Sequence, residues 1–456
     1  MLKSHLRYLI LFLLFVSCVT QKEKDKYSNF TPTVFPDRIM LTIPGDPATC
    51  RAVSWRTVFE DTVSIGEIAL MDAAPTLEEN KVIVTGTFSP WEKGSQAAMG
   101  HKVIFDYLKP DTKYVYRVGD NENWSEWFQF KTSSDKTEPF SFLYLGDVQN
   151  DIKSYGSRIL RQAYTHFPDA DFMLFAGDLV RVSNEEYWRE FYYAGGWIFG
   201  MMPCVPTPGN HEYDEQVIQT RTFSKHWNQI FTMPQNSPSE KFRNRLYYID
   251  YQGVRFISVD SPAYGENSED DEMILGWLDK TLANNPYRWA VVFSHYPVYY
   301  CCQGRDKKSY QDAGKVILEK YGVDIVLQGH DHTYCRGQNL ASAETNSKNH
   351  PMYIVSVAGE KMYGLTTNFW ADRVASNTQL YQNIAFNGDT LSYKSFTVAG
   401  ELYDEFMLIK DKNGINRFIE SVKVREIDQR TEIPEGEEEE YTDEEMQIYQ
   451  QKFQNK

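Results

Sequence analysis

The stretch "LFAGDLVRV", residues 174–182, belongs to a set of five built on one plan. An apolar run of strand length stops at a side chain able to bind a metal or a proton. "FLYLGD" stops at Asp147, "MLFAGD" at Asp178, and "CVPTPGN" at Asn210 with His211 behind it. "AVVFSH" stops at His295, and "IVLQGHDH" at His330 and His332. Such runs read as strands buried on both faces, in sheets covered by helices. The carboxyl ends of strands in an open α/β sheet converge on one crevice. A single ending of this kind is an ordinary turn or cap. Five in order describe a site.

Placed in one crevice, these endings supply two carboxylates, an amide oxygen and several imidazoles. That mixed set suits Mn, Fe, Zn or Co and requires no thiolate. Two cations about 3.5–4 Å apart need a bridging carboxylate and make hydroxide from a shared water at neutral pH. Together they hold phosphoryl oxygens and stabilise charge on the entering and leaving groups. A neutral histidine beside them can protonate the leaving oxygen.

The 456 residues allow two or three domains. Residues 1–18 carry a basic start, the short apolar run "YLILFLLFVS" and then Cys18. That is the pattern of an export signal, and "FVSC" resembles a bacterial lipobox. It implies cleavage before Cys18, lipid on that cysteine, and a chain anchored at the bacterial cell envelope, periplasmic or on the cell surface. No membrane-spanning helix is expected in the mature chain. Residues 19–33 are polar and read as a tether. Residues 34–134 show short alternating strands and turns, which predicts an all-β sandwich. From 139 to 425 apolar strands alternate with helical stretches near 153–166, 184–195, 270–284 and 311–320. This predicts a layered α/β domain with a βαβαβ core, two mixed sheets and flanking helices. A hairpin is expected through Asn413-Gly414. Residues 426–456 are acidic and read as a solvated tail or frayed helix.

Net charge bounds the partners. At −16 the chain lacks the clustered Lys and Arg that nucleic acid needs, so no nucleic acid is expected. Phosphate remains possible where metal ions supply positive charge. Past Cys18, the cysteines are Cys50, Cys204, Cys301, Cys302 and Cys335, and they match no zinc or disulfide scaffold. They read as buried thiols with room for one disulfide in an exported protein.

The motif set "GD…GD…GNHE…SH…GHDH" resembles the calcineurin-like metallophosphoesterases. "VPTPGNHEY", "LYYIDYQGVRFISVDS", "LGWLDKTL" and "GHDHTYCR" are similar to the purple acid phosphatases within them. "PDRIMLTIPGDPATCRAVSWRT" and "LKPDTKYVYRVGD" resemble the fibronectin-type-III-like domain that precedes the catalytic domain there. The resemblance spans roughly residues 34–425. It implies that Asp178 bridges two metals, that Asp147 and His332 hold the first, and that Asn210, His295 and His330 hold the second. His211 would stand just outside the ligands, as transition-state stabiliser or proton donor.

Two positions depart from the family. Where the purple enzymes carry a metal-binding Tyr, this chain has Arg181. That implies a site that is not purple, holding Fe, Mn or Zn. Arg181 reads either as a salt bridge orienting Asp147 or as a direct phosphate contact. Where the family has Gly, this chain has Gln149, whose amide oxygen can replace the missing ligand. "CCQGRD" also stands where the plant enzymes have extra histidines beyond "SHYP". Tyr213 and Tyr296 are candidate substrate contacts beside the ligands, with Asp214, Tyr299 and Arg305 behind them. His166 and His226 read as structural, and Trp55 and Trp127 as sandwich core.

The expected activity is hydrolysis of phosphate monoesters of acid-phosphatase type, by the metal-bridging hydroxide and without a phosphoenzyme. The partner would be a phosphorylated small molecule, and the membrane would be touched through the lipid alone. The same core serves phosphodiesterases and nucleotide pyrophosphatases. A surface binding protein that has lost catalysis is the reading from another class.

Overall fold

The computed structural model describes residues 31–92, 97–214, 221–305, 308–342 and 349–453. The leader, Cys18 and most of the tether lie outside the described residues. No helix among the described residues is long and apolar enough to cross a membrane.

The first unit is a sandwich of two four-stranded antiparallel sheets. One orders Asp37–Thr42, Arg51–Val58, Ala98–Phe105 and Thr87–Glu92. The other orders Val82–Thr85, Ile65–Leu70, Lys113–Gly119 and Phe128–Lys131. The period-2 rule is visible in "FQFK", where Phe128 and Phe130 turn inward and Gln129 and Lys131 outward. Trp55 fills the core with Val103, Phe105 and Tyr116. Trp127 does not join them: it and Trp124 bracket the Arg117 guanidinium, at 4.7 and 4.6 Å. An indole next to a guanidinium gains a cation–π contact and stays at the wet edge.

The second unit packs two seven-stranded mixed sheets face to face. In the first, Cys204–Thr207, Met173–Ala176 and Phe140–Leu145 run parallel. Leu380–Asn387 then pairs antiparallel with Phe140–Leu145 and opens a meander ending at Asn416–Glu420. In the second, Val254–Val259, Trp289–Ser294, Ile325–Gln328 and Met352–Val355 are parallel. Apart from Ser141, these parallel strands are buried along their length, because each sheet has a covered outer face as well as the shared inner one. Phe142 meets Phe256 edge to face across the inner seam, at 5.2 Å. Helix Ser268–Ala283 packs Ile274 and Leu278 on the outer face of the second sheet. It starts at Asn267, which accepts from Asp270 N at 2.9 Å, and three acids fill its first turn.

Glu185 of the second unit is captured by the first. Arg38 grips it through both oxygens, at 2.9 and 2.5 Å. Arg56 donates to it at 2.7 Å and Trp91 Nε1 at 2.9 Å. Arg56 also forks onto Asp37, at 2.9 and 2.6 Å. Burial works against the Glu185 charge, but Arg38 and Arg56 outweigh it and hold the carboxyl below the usual glutamate range.

The acidic stretch after residue 425 corrects the solvated-tail expectation. Helix Asp443–Phe453 buries Tyr449, and Tyr441 packs with it on Cys301, Cys335 and Leu365. Tyr441 donates its hydroxyl to Leu365 O at 2.6 Å. The charge run hides two aromatic anchors, and apolar burial of their rings outweighs the solvation of the acids between them. Cys301 and Cys335 form a disulfide, while Cys50, Cys204 and Cys302 are buried thiols.

Candidate metal centre

Every expected ligand lies at the carboxyl end of a parallel strand, and the two sheets divide the chemistry between them. Asp147, Asp178 and Asn210 follow strands of the first sheet and bring oxygen. His295, His330 and His332 follow strands of the second and bring nitrogen. The last turn onto the site is strained. Asp147, Asp178, His330 and His332 all have positive φ, at 48, 51, 75 and 47°. Non-glycine residues are held there at about 1–3 kcal/mol each, and such strain clusters at functional sites. The glycines beside the ligands make room for them. A Cβ on Gly209 would fall 2.1 Å from Asp178 Oδ1, and one on Gly329 would fall 2.3 Å from Asp147 Oδ2.

Two groups of donors result, and they share one residue. Asp178, His295 and His330 offer ligand atoms within 4.8 Å of one another, as do Asp147, Asp178 and His332. His295 Nε2 is ringed by Asp178 Oδ2 at 3.2 Å, Asn210 Oδ1 at 3.1 Å and His330 Nδ1 at 3.2 Å. In the other group His332 Nε2 lies 3.5 Å from Asp147 Oδ1. Backbone carbonyls fix both rings: His295 Nδ1 is 2.9 Å from Ala176 O, and His332 Nδ1 is 2.8 Å from Lys361 O. With Nδ1 held at a carbonyl, each ring turns its Nε2 to the centre.

The residues fit a pair of metal ions. Asp147 Oδ1 and Gln149 Oε1 are buried without a hydrogen-bond partner. Orphaned oxygens of that kind are expensive unless an ion takes them. Gln149 donates its Nε2 to Asp178 Oδ2 at 2.8 Å, and that nitrogen lies 3.1 Å from His332 Nε2, so the amide sits with the Asp147–Asp178–His332 group. Burial pushes Asp147 well above the usual carboxylate range. At His295 burial opposes the charged ring, but Asp178 and Asp147 outweigh it and push it up to about 10. Burial sends His332 down to about 3. Groups that drive proton affinities this far apart mark a place built to hold positive charge.

His211 stands beside the ligands, half-buried. Its Nδ1 is 2.5 Å from Arg181 O, and its Nε2 is 3.8 Å from Asp178 Oδ2. Its backbone N–H donates to Asp178 Oδ1 at 2.9 Å.

Three expectations are corrected. Arg181 forms no salt bridge with Asp147 or another acid among the described residues; its side chain is exposed, and its carbonyl is what orients His211. Tyr213 is not a substrate contact. Its hydroxyl donates to Asp260 at 2.6 Å and accepts from Arg245 at 2.8 Å, in a buried ion pair that uses it up. Tyr296 is 4% exposed and lays its ring on His330 at 4.5 Å, so it buttresses a ligand instead of facing the crevice. Tyr299 packs on Tyr353 and Trp370. The side chain of Asp214 lies outside the described residues. His166 and His226 sit in aromatic packing, as expected.

Two acids inside the motifs escaped the sequence reading. Glu212 of "GNHE" accepts backbone N–H groups of Gly209, Asp178 and Leu179, at 2.6, 3.0 and 2.9 Å. It stitches the turn bearing Asp178 to the turn bearing Asn210. Asp331 of "GHDH" turns away from its flanking histidines and accepts Cys301 N at 2.6 Å. Their signal was adjacency to ligands, but nothing in a sequence says whether such an acid faces the metals or the backbone.

Known proteins agree with this geometry. The calcineurin-like phosphoesterase family model matches residues 140–334, and the purple acid phosphatase N-terminal domain model matches 36–132. Over these two stretches the chain is similar to the purple acid phosphatases and, more broadly, to the calcineurin-like phosphoesterases. Purple acid phosphatase 21 of Arabidopsis thaliana is 29% identical over 59% of this chain and 60% of its own length. The Fe(3+)-Zn(2+) purple acid phosphatase 12 of the same plant is 26% identical over 59% and 61%. This chain thus spans about 60% of the length of these curated relatives. The solved structure of PhoD superposes on 93% of this chain and 98% of its own, with a TM-score of 0.63 at 12% identity. That is a likeness of fold.

Proposed function

We propose that this chain hydrolyses phosphomonoesters at a two-metal centre held by Asp147, Gln149, Asp178, Asn210, His295, His330 and His332. The two donor groups that share Asp178 carry the reading. When bound, two ions drawn from Fe, Mn or Zn lower the pKa of a shared water and polarise phosphoryl oxygens. Asp178 ties the two sites together, and Glu212 holds the turn that presents it. His211 keeps its Nδ1 proton on the Arg181 carbonyl, so a second proton goes to Nε2. From there it passes to the leaving oxygen. Arg181, exposed at the rim, is a substrate contact there, since a guanidinium matches phosphate oxygens. The basic and apolar leader with Cys18 supports export and lipid attachment, and with them hydrolysis at the cell envelope.

A screen of metals against p-nitrophenyl phosphate and its bis ester tests this. Metal-dependent monoester turnover, abolished by a chelator, is expected. A preference for the bis ester would move the reading to a phosphodiesterase. A protein with neither bound metal nor turnover under any cation would be a surface binding protein instead.

A further inference from the structure

The centre has a second cation that the activity above does not use. Arg305 lies in the loop after "SHYPVYY", with its side chain 29% exposed. Its Nη1 donates to the backbone oxygen of the ligand His330 at 3.2 Å. Its one acid within reach among the described residues is Asp331, at 3.9 Å, too long for a hydrogen bond. Asp331 has spent its other oxygen on Cys301 and Cys302 N–H groups. The rest of the guanidinium fork therefore has no hydrogen-bond partner among the described residues. Arg305 and Lys361 lie over the ring of Tyr363, at 5.0 and 4.7 Å. That ring in turn meets the ring of the ligand His332 at 5.0 Å. Two cations are thus gathered beside the metal ligands of a chain whose net charge is −16.

The loop is tied down up to Gln303. The disulfide ties Cys301 to Cys335, and Asp331 accepts from the backbone of Cys301 and Cys302. Cys302 bridges to Leu365, and Gln303 donates to Glu445 of the docked C-terminal helix at 2.6 Å. A mobile rim arginine needs no such support, whereas a guanidinium that must meet a phosphate in fixed geometry does.

We infer that Arg305, seconded by Lys361, is the group that grips the non-bridging oxygens of a dianionic phosphomonoester and selects it over a monoanionic diester. This rests on the hydrolase reading above. A forked cation beside the metals matches the extra charge of a monoester, and a diester offers one fewer charged oxygen for it to hold.

The full chain, loaded with Zn²⁺ or Mn²⁺, carries the test through Arg305→Ala and Arg305→Lys. Metal content and thermal unfolding should match the wild type. For p-nitrophenyl phosphate kcat/KM should fall about 10- to 100-fold in Arg305→Ala, mostly in KM, and partly return in Arg305→Lys. For the bis ester the change should stay below about threefold. Equal losses on both esters, or no loss on either, would overturn the proposal. If the wild type hydrolyses neither ester, the hydrolase reading falls first. Calorimetric binding of inorganic phosphate to the metal-loaded proteins then still decides: weaker binding in Arg305→Ala keeps the grip, and equal or absent binding removes it.

Discussion

Asp147, fully buried, and Glu185, largely buried, are carboxylates of the second unit that are treated in opposite ways. Around Glu185 two guanidiniums and an indole N–H bring the charge to balance. Around Asp147 one oxygen accepts the His330 backbone N–H and the other has no hydrogen-bond partner, and the ionisable groups beside it are imidazoles and another acid. The first arrangement is complete with protein atoms alone, as a structural clamp must be. The second makes sense only with cations added. Burial alone does not separate the two roles. The pairing of each oxygen does.

The sharpest break of that contrast is at Asp178. Asp178→Asn removes the charge both donor groups share. We expect kcat/KM to fall at least about 10³-fold with loss of bound metal, read by turnover and elemental analysis. Glu185→Ala should do the reverse. Arg38 loses its carboxylate while Arg56 keeps Asp37, at about 3–5 kcal/mol of stability in denaturant unfolding, while the folded fraction keeps its metal. His211→Ala should retain metal and lower kcat about 10²- to 10⁴-fold, most for esters with poor leaving groups. Equal losses across leaving groups would show that His211 acts by position alone.

A smaller effect belongs to the sandwich. His101 is buried between Ser64 and Thr57 oxygens, at 2.8 and 2.6 Å, and stacks on Trp55. Burial lowers it from 6.5 to about 4. The folded state therefore keeps His101 neutral where the unfolded chain takes a proton. Its contribution is intact above 6.5 and is lost as pH falls from 6.5 towards 4, at about 1.4 kcal/mol per pH unit. Denaturant midpoints across that range should slope less in His101→Gln. The smallest change is expected at Arg181→Ala. The exposed guanidinium goes but the carbonyl that holds His211 stays, so KM should rise by about twofold to threefold with kcat kept.

Much of the fold was legible because strand endings repeat. Asp147, Asp178, Asn210, His295, His330 and His332 each follow an apolar run, and strand direction alone brings such endings together. Tyr213 and Tyr296 were misread because neighbours in sequence point to opposite sides of a turn. Tyr213 follows Glu212, and the chain there carries it into the Arg245–Asp260 pair instead of the crevice. Arg181 and Arg305 show the same limit for cations. The one three residues from Asp178 is exposed, and the one in the "CCQGRD" loop is packed beside the expected ligands.

The sequence by itself determined which atoms are available to the centre and the order in which strands deliver them, because hydrophobic period and breakers are local properties. Only the tertiary structure decided that oxygen donors come from one sheet and nitrogen donors from the other. It alone turned Glu212 and Asp331 onto the backbone, closed Cys301 onto Cys335 and folded the acidic end against that disulfide. Those outcomes depend on which groups meet across distant parts of the chain, and a long-range contact leaves no periodic trace in the residues that make it.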